Sequence, residues 1–518
     1  MNMKKIILII TGALLLASCD SFLDVVPDRR VELDDDDKIT KLLVNVYPNY
    51  AFALMTEMMS DNYDDLGTDV APSYNRLQDE MWHWEDIKET GTESPKGIWE
   101  SYYAAIATAN TALEAIEKQG NPARLNGQRG EALISRAYNH FCLVNVFSKH
   151  YSVANGETDL GIPYVREVET TVKPHYDRES VAAVYRKMEE DIEEALPLIR
   201  DDIYTAPKYH FNRRAAYAFA ARFNLYYRKY DKVIEYSNVV LGVDPSRVLR
   251  DYSTLNNIEK NIVNIAIEYV KPEQNTNLLL ITLHSYMGRI FSNNSATGKR
   301  YSHSVPIAGN ETVRSVGPWG TYRSDMFHLT SSSYTRGYVI APKLPNLFQY
   351  TDLVARTGYV RTVFPAFKAD ETLLCRAEAY IMQGKYDEAT TDLALWMSTH
   401  TSSTVTLTRA LVNSFYSGIL YYTPYDLTVK KKLNPEVPVV SAEQENFLHC
   451  LLHMRRIETL YEGLRWFDIK RFGIVIQRKH VDAYNAVTVS DSLTINDHRR
   501  AIQLPISVIS AGMTPNPR

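Results

Sequence analysis

The sequence predicts a mainly α-helical fold in which a tetratricopeptide-like scaffold of helical hairpins carries an irregular, loop-rich half. Three observations predict it. Apolar residues recur at spacings of three and four along several long stretches. Two segments carry the small-residue and tyrosine spacing of a tight helical hairpin. Residues 257–364 lose the helical period and fill with Gly, Ser, Asn and Pro.

Taken in order, residues 38–59 read as a first helix, and residues 60–96, rich in Asp, Gly, Pro, Tyr and Trp, read as loop. From Trp99 to Lys118 the side chains Trp99, Tyr103, Ile106, Ala109, Leu113 and Ile116 make one stripe, which Gly120-Asn121-Pro122 ends. A second helix over 127–147 carries Ala132, Leu133, Ala137, Phe141, Val144 and Phe147, and a third runs from Ser180 to Ile199. These should pack as antiparallel neighbours. Ala377-Glu378-Ala379-Tyr380 with Gly384, Tyr386 and Ala389 resembles the tetratricopeptide pattern, where small residues let two helices approach and a Tyr fills the gap. Residues 221–233 align loosely with it, Tyr230 matching Tyr386. Within 257–364, Ile262 to Val270 and Leu278 to Leu283 read as short strands.

Composition narrows the function. The chain has 57 basic and 62 acidic residues, a net charge of −5, so no basic surplus exists to neutralise nucleic-acid phosphates. Cys142, Cys375 and Cys450 lie inside apolar helical patterns without metal-type spacing, and are expected as small buried hydrophobes. Tyrosine is abundant, 35 against 16 Phe and 6 Trp, and its apolar ring with a polar tip suits half-buried positions and surfaces that grip a partly polar ligand.

The first residues read as an export signal: Lys4 and Lys5 precede an apolar run from Ile6 to Leu16 that is too short to span a bilayer. Leu16-Ala17-Ser18-Cys19 resembles the lipobox of bacterial lipoproteins. That resemblance implies cleavage after residue 18 and lipidation of Cys19, with residues 19–37 as a tether and 38–518 as a single domain.

Several blocks together resemble the SusD/RagB family of outer-membrane nutrient-binding lipoproteins. They are Cys19-Asp20-Ser21-Phe22-Leu23-Asp24; Trp99 through Ile106 with Asn110; Gly130-Glu131-Ala132 through Phe141, followed by Gly161-Ile162-Pro163-Tyr164-Val165; Arg455 to Glu458 with Glu462 to Arg471; and Leu504-Pro505-Ile506 with Asn516-Pro517. The resemblance implies a SusD-like helical fold, capture of an oligosaccharide or, in the RagB branch, a peptide, and pairing with a SusC-type TonB-dependent barrel. It implies no chemistry on the ligand.

The residues themselves support a binding protein over an enzyme. No Walker-type loop, His-Glu-x-x-His motif or Gly-x-Ser-x-Gly elbow occurs. The charges of Arg455 to Arg471 stand three apart, as Arg455 to Glu458, Glu462 to Arg465, Arg465 to Asp468 and Asp468 to Arg471, the geometry of ion pairs along one helical surface. Asp61, Asp64, Asp65 and Asp69 lack the full calcium-loop pattern and read as a solvated acidic loop, so no metal or cofactor is expected. Ligand contacts are expected from rings in the two irregular segments, Tyr74, Trp82 and Trp84 in the first and Tyr286, Trp319 and Tyr322 in the second, because an exposed ring can stack on the C–H face of a sugar. Asp61, Asn62, Arg76 and Arg323 are expected to read its hydroxyls. Three other readings stay open: peptide capture, an all-helical glycoside hydrolase, and a scaffold without a small ligand.

Overall fold

The computed structural model describes residues 33, 35–68, 75–171, 175–258, 261–292, 299–320, 326–327, 331–333, 337–481 and 486–518. Cys19, Asp69, Tyr74, Tyr322 and Arg323 lie outside the described residues.

The helical frame follows its start and stop signals. Ser94 accepts the Gly97 N–H at 3.2 Å with Pro95 in the first turn, and so opens the helix Pro95–Lys118, which ends at Gly120 and Asn121, both with positive φ. The helices Asn126–Phe147 and Val181–Ala195 follow and pack in sequence on it. The middle one is buried on nearly all sides, so it is the central rod of this half.

Two further hairpins make the repeat. Arg213–Tyr226 packs on Tyr230–Leu241, Ala369–Met382 on Tyr386–His400, and Tyr230–Leu241 on Ala369–Met382. Each turns through one left-handed residue, Arg228 at φ 64 in the first and Gly384 at φ 72 in the second, followed in both by Lys-Tyr-Asp. The expected match of Tyr230 with Tyr386 is therefore a match of backbone geometry too. Cys142, Cys375 and Cys450 are buried free thiols in this frame.

The irregular half is built on two small sheets and a two-stranded pair, Ser331–Ser333 with Tyr338–Ile340. In one, Thr357–Lys368 lies between Asn277–Leu283 and Leu347–Asp352, antiparallel to both. In the other, Asp64–Asp65 joins Tyr301–Ser302 to the C-terminal strands Ile476–Val481 and Val487–Leu493.

Four local expectations fail, each for a physical reason. Residues 38–59 form two short helices, Asp36–Leu42 and Ala53–Met59, with Pro48 between them unable to donate a helical hydrogen bond. The loop 60–96 contains the helix Arg76–Trp82, capped by Asn75 accepting from Gln78 N at 3.0 Å. Ile262–Tyr269 is helical despite its β-branched residues: Asn261 caps it, Ile265, Ala266 and Tyr269 face inward, and Val263 and Ile267 face solvent. The C-terminal charged helix is broken into Ala442–Glu458 and Leu464–Arg471 by left-handed Tyr461 (φ 71) and Gly463 (φ 74).

At Gly384 an added Cβ would meet no atom within 4 Å. Gly384→Ala should therefore cost only the left-handed strain, about 1 kcal/mol in urea unfolding with unchanged slope.

Candidate functional site

Four segments far apart in sequence meet at Asp61. Arg465 grips both its carboxylate oxygens at 2.8 Å, Lys431 Nζ donates to Oδ2 at 2.7 Å, and Arg456 donates to its carbonyl at 2.7 Å. Arg456 also donates to Asn62 Oδ1 (2.7 Å) and to Glu311 (2.5 Å), which lies 2.8 Å from Lys431. Burial opposes the charge on Asp61, but Arg456, Arg465 and Lys431 outweigh it and hold the carboxyl well below its usual range. A second knot ties Lys368 to Glu458 and Glu462, both at 2.5 Å, with His400 2.8 Å from Glu458. Of the expected pairs three apart only Asp468 and Arg471 meet, at 2.7 Å; Arg455 reaches Asp468, and the others cross to distant elements because the broken helix turns them inward.

This packing places five of the expected ligand residues, Asp61, Asn62, Trp82, Trp84 and Trp319, in the interior. Asp61 and Asn62 are buried members of the network, and Asp64 and Asp65 face Lys479 and Arg300 instead of forming a solvated acidic loop. Trp82 and Trp84 are each 2 % exposed; their indole N–H groups donate to the carbonyls of Tyr63 (3.3 Å) and Met59 (2.8 Å). The buried Arg478 guanidinium lies 4.9 and 4.2 Å from the two ring centroids and donates to the carbonyls of Trp82, Ser60, Met58 and Met59. Trp319 is wholly buried against Trp396 and His453. Indeed all six tryptophans are buried. Arg76 sits on the surface of the helix Arg76–Trp82, paired with Glu80 at 2.8 Å.

Among the expected rings in the described residues, Tyr286 stays outside, at 42 % exposed. Its turn is fixed from below by Glu93, whose Oε1 accepts from Tyr286 N (2.8 Å) and Ser285 Oγ (2.6 Å). Two residues earlier, His284 packs 4.3 Å from the ring of Tyr359 and 5.7 Å from that of Tyr50, while its backbone N–H donates to Asn49. Tyr359 is 36 % exposed on the strand Thr357–Lys368, whose partner strand displays Phe348 and Tyr350. Partial burial lowers the His284 ring below its ordinary pKa and keeps it neutral near pH 7. The result is an uncharged aromatic surface of Tyr50, His284, Tyr286 and Tyr359. Sequence reading missed three of these; the alternating Phe348 and Tyr350 beside an exposed turn were the signal available.

A separate groove of about 600 Å³ runs between the helix Pro95–Lys118, residues 163–169 with His175 and Tyr176, and the C-terminal segment. Its rings are already engaged: Trp99 packs on Tyr103 and Phe147, and the hydroxyls of Tyr103 and Tyr176 donate to Pro163 O and Glu169.

Residues 21–225 match a SusD-like family model described as starch-binding, associating with the outer membrane, and residues 282–504 match the SusD family model, SusD_RagB. The chain belongs to the SusD/RagB family. None of the curated proteins matches it. Among solved structures it is similar to a SusD superfamily protein from Bacteroides thetaiotaomicron (19% identity, TM-score 0.65, covering 94% of this chain and 100% of that one). It is also similar to a putative sugar binding protein from Bacteroides vulgatus (17%, 0.65, 95% and 99%) and a SusD-like carbohydrate binding protein from the same species (15%, 0.64, 92% and 97%). At these identities the likeness is one of fold.

Two outcomes separate the buried frame from the exposed ring surface. Asp61→Asn should lower unfolding free energy by about 3–5 kcal/mol, because it leaves buried cations without their counter-charge. Glu93 is buried, its Oε2 has no hydrogen-bond partner, and burial pushes its carboxyl up to about 7. A carboxyl raised in the folded state costs stability as pH rises from its unfolded value to its folded one. Glu93→Gln should therefore gain relative to the parent by up to ~3 kcal/mol between pH 5 and pH 8 in denaturant titrations, and a flat difference would contradict this.

Proposed function

We propose that the chain is a cell-surface lipoprotein, held in the outer membrane through lipidated Cys19, that captures a nutrient oligosaccharide and hands it to a SusC-type TonB-dependent barrel without chemical change. The family matches, and the sugar- and carbohydrate-binding names of two structures that share the fold, support a glycan. The observation that carries the reading is the neutral surface of Tyr50, His284, Tyr286 and Tyr359, whose rings can lie against sugar C–H faces while their polar tips meet hydroxyls. Tyr74, Tyr322 and Arg323 belong to the same proposal. A binding role without catalysis fits the carboxylates of the C-terminal motif, since Glu458, Glu462 and Asp468 are each tied to a buried cation.

Peptide capture is the second reading, and one observation favours it. Among the described residues Leu347–Asp352 is the exposed edge of its sheet, with one side left to pair with an extended backbone.

Calorimetry against a panel of neutral oligosaccharides tests the first reading. Tyr286→Ala and Tyr359→Ala should each weaken the best ligand about tenfold, the loss of one ring contact, with unchanged melting temperature. Absence of binding across the panel, together with peptides found by mass spectrometry in the purified protein, would replace the glycan with the peptide.

A further inference from the structure

The strands Leu347–Asp352 and Thr357–Lys368 form a hairpin whose outer half has no third strand beside it. Leu347 to Asp352 pair with residues 357–361, whereas Asn277 to Leu283 pair with residues 362–368, so no row of this sheet is three strands deep. Residues 348–359 are all exposed, which makes the outer half a two-stranded ribbon open on both faces. Such a ribbon is marginally stable in water when it stands alone. This one also displays two aromatic side chains, Phe348 at 47 % and Tyr350 at 48 % exposed, their rings edge to face at 4.9 Å.

The two edges of the ribbon differ. Along Thr357–Lys368 the chain after Leu283 reaches the ribbon, where His284 packs 4.3 Å from the ring of Tyr359. Along Leu347–Asp352, among the described residues, no strand pairs and no other backbone group forms a hydrogen bond. Proteins commonly protect such an edge with Lys, Pro or an inward-pointing charge. Residues 347–351 read Leu-Phe-Gln-Tyr-Thr and carry none of these. The one register shift lies between Tyr350 and Asp352, next to the turn, and leaves Leu347 to Tyr350 regular.

We propose that two copies of this chain pair through Leu347–Asp352, antiparallel about a two-fold axis at Gln349, so that their ribbons join into one four-stranded sheet. The sequence sets the register. A two-fold axis perpendicular to the sheet keeps each side chain on its own face, so only residues an even number apart can stand opposite. Centred on Gln349, Phe348 of each copy faces Tyr350 of the other, four rings gather on one face, and Gln349 meets its own copy without any charge at the contact. Centring on Phe348 would set Tyr350 against Asn346, and centring on Tyr350 would set Phe348 against Asp352. The opposite face carries Gln349 beside its paired residue Tyr359, so the Tyr359 rings of the two copies come to lie three strand spacings apart, about 14 Å. Both tyrosine surfaces then share one face and can hold a single glycan chain; this consequence alone rests on the proposed glycan reading. A peptide seated on the same edge would exclude the second copy.

The experiment places single cysteines in the full chain, expressed in a Gram-negative host, and treats the membranes with a mild oxidant. Cys142, Cys375 and Cys450 are buried and stay silent, and the parent chain measures any background from Cys19. Gln349→Cys should form a disulfide with its own copy, because the two Cα atoms stand about 4.5–5.5 Å apart. Thr351→Cys should not, because an offset of four residues holds its two copies about 13 Å or more apart, past the reach of a disulfide. Phe348→Cys and Tyr350→Cys, expressed together, should cross-link with each other and neither with itself. Gln349→Lys sets two like charges opposite and should weaken the dimer about tenfold in sedimentation of the purified chain, with unchanged melting temperature. No Gln349→Cys dimer above the parent's background, or equal cross-linking at Thr351→Cys, overturns the proposal. Peptides recovered with a chain that forms no such dimer overturn it too, and give the edge to the peptide. If one variant does not fold, the other positions report the register.

Discussion

The buried carboxylate of Asp61, held by Arg456, Arg465 and Lys431, is the constraint on which the rest of the molecule hangs. It joins the turn after the helix Ala53–Met59 to the C-terminal helices, and through Glu311 it joins both to the irregular half. Such a network contributes little net stability compared with apolar packing, since desolvating each ion is expensive. Its effect is specificity. Any arrangement that separates these segments strands a charge in the interior, so a half with little regular helix adopts one arrangement.

The same constraint decides where a ligand can meet the protein. Closing the network draws the turn at Ser60 and Asn62 inward, and Arg478 follows it to three backbone carbonyls at Met58, Met59 and Ser60. Trp82 and Trp84 then pack against that guanidinium and are lost as exposed faces. What remains outside is the edge of the Thr357–Lys368 sheet and the loop after Leu283, where Tyr359, His284 and Tyr286 stand against solvent. Glu93 sets the height of that loop from beneath. The large tryptophans build the wall, and the smaller amphipathic rings are left to read what lies against it.

The helical frame was legible in the sequence because its signals are local. Ser94-Pro95, Gly120-Asn121 and the spacing from Trp99 to Ile116 act within a few residues of the structure they cause. The tetratricopeptide-like turns were legible for the same reason, Lys-Tyr-Asp following the left-handed residue in both. The rings of the proposed ligand surface were not, because exposure is a tertiary property. A Trp in a polar, Gly-rich stretch reads as displayed until a partner such as Arg478, almost four hundred residues away, is found to cover it. The charged C-terminal motif misled in a related way: its three-residue spacing suits surface pairs, but left-handed Tyr461 and Gly463 redirect the charges to Asp61, Lys368 and Glu378.

Hydroxyl-radical footprinting of the protein saturated with the oligosaccharide we propose it captures tests this division most directly, since it reports each ring separately. Protection of Tyr50, Tyr286 and Tyr359, with Trp82, Trp84 and Trp319 equally unreactive with and without ligand, is the result the account predicts. Strong labelling of those tryptophans in the free protein that disappears when ligand binds would contradict it, because rings buried by the charge network have no face to offer.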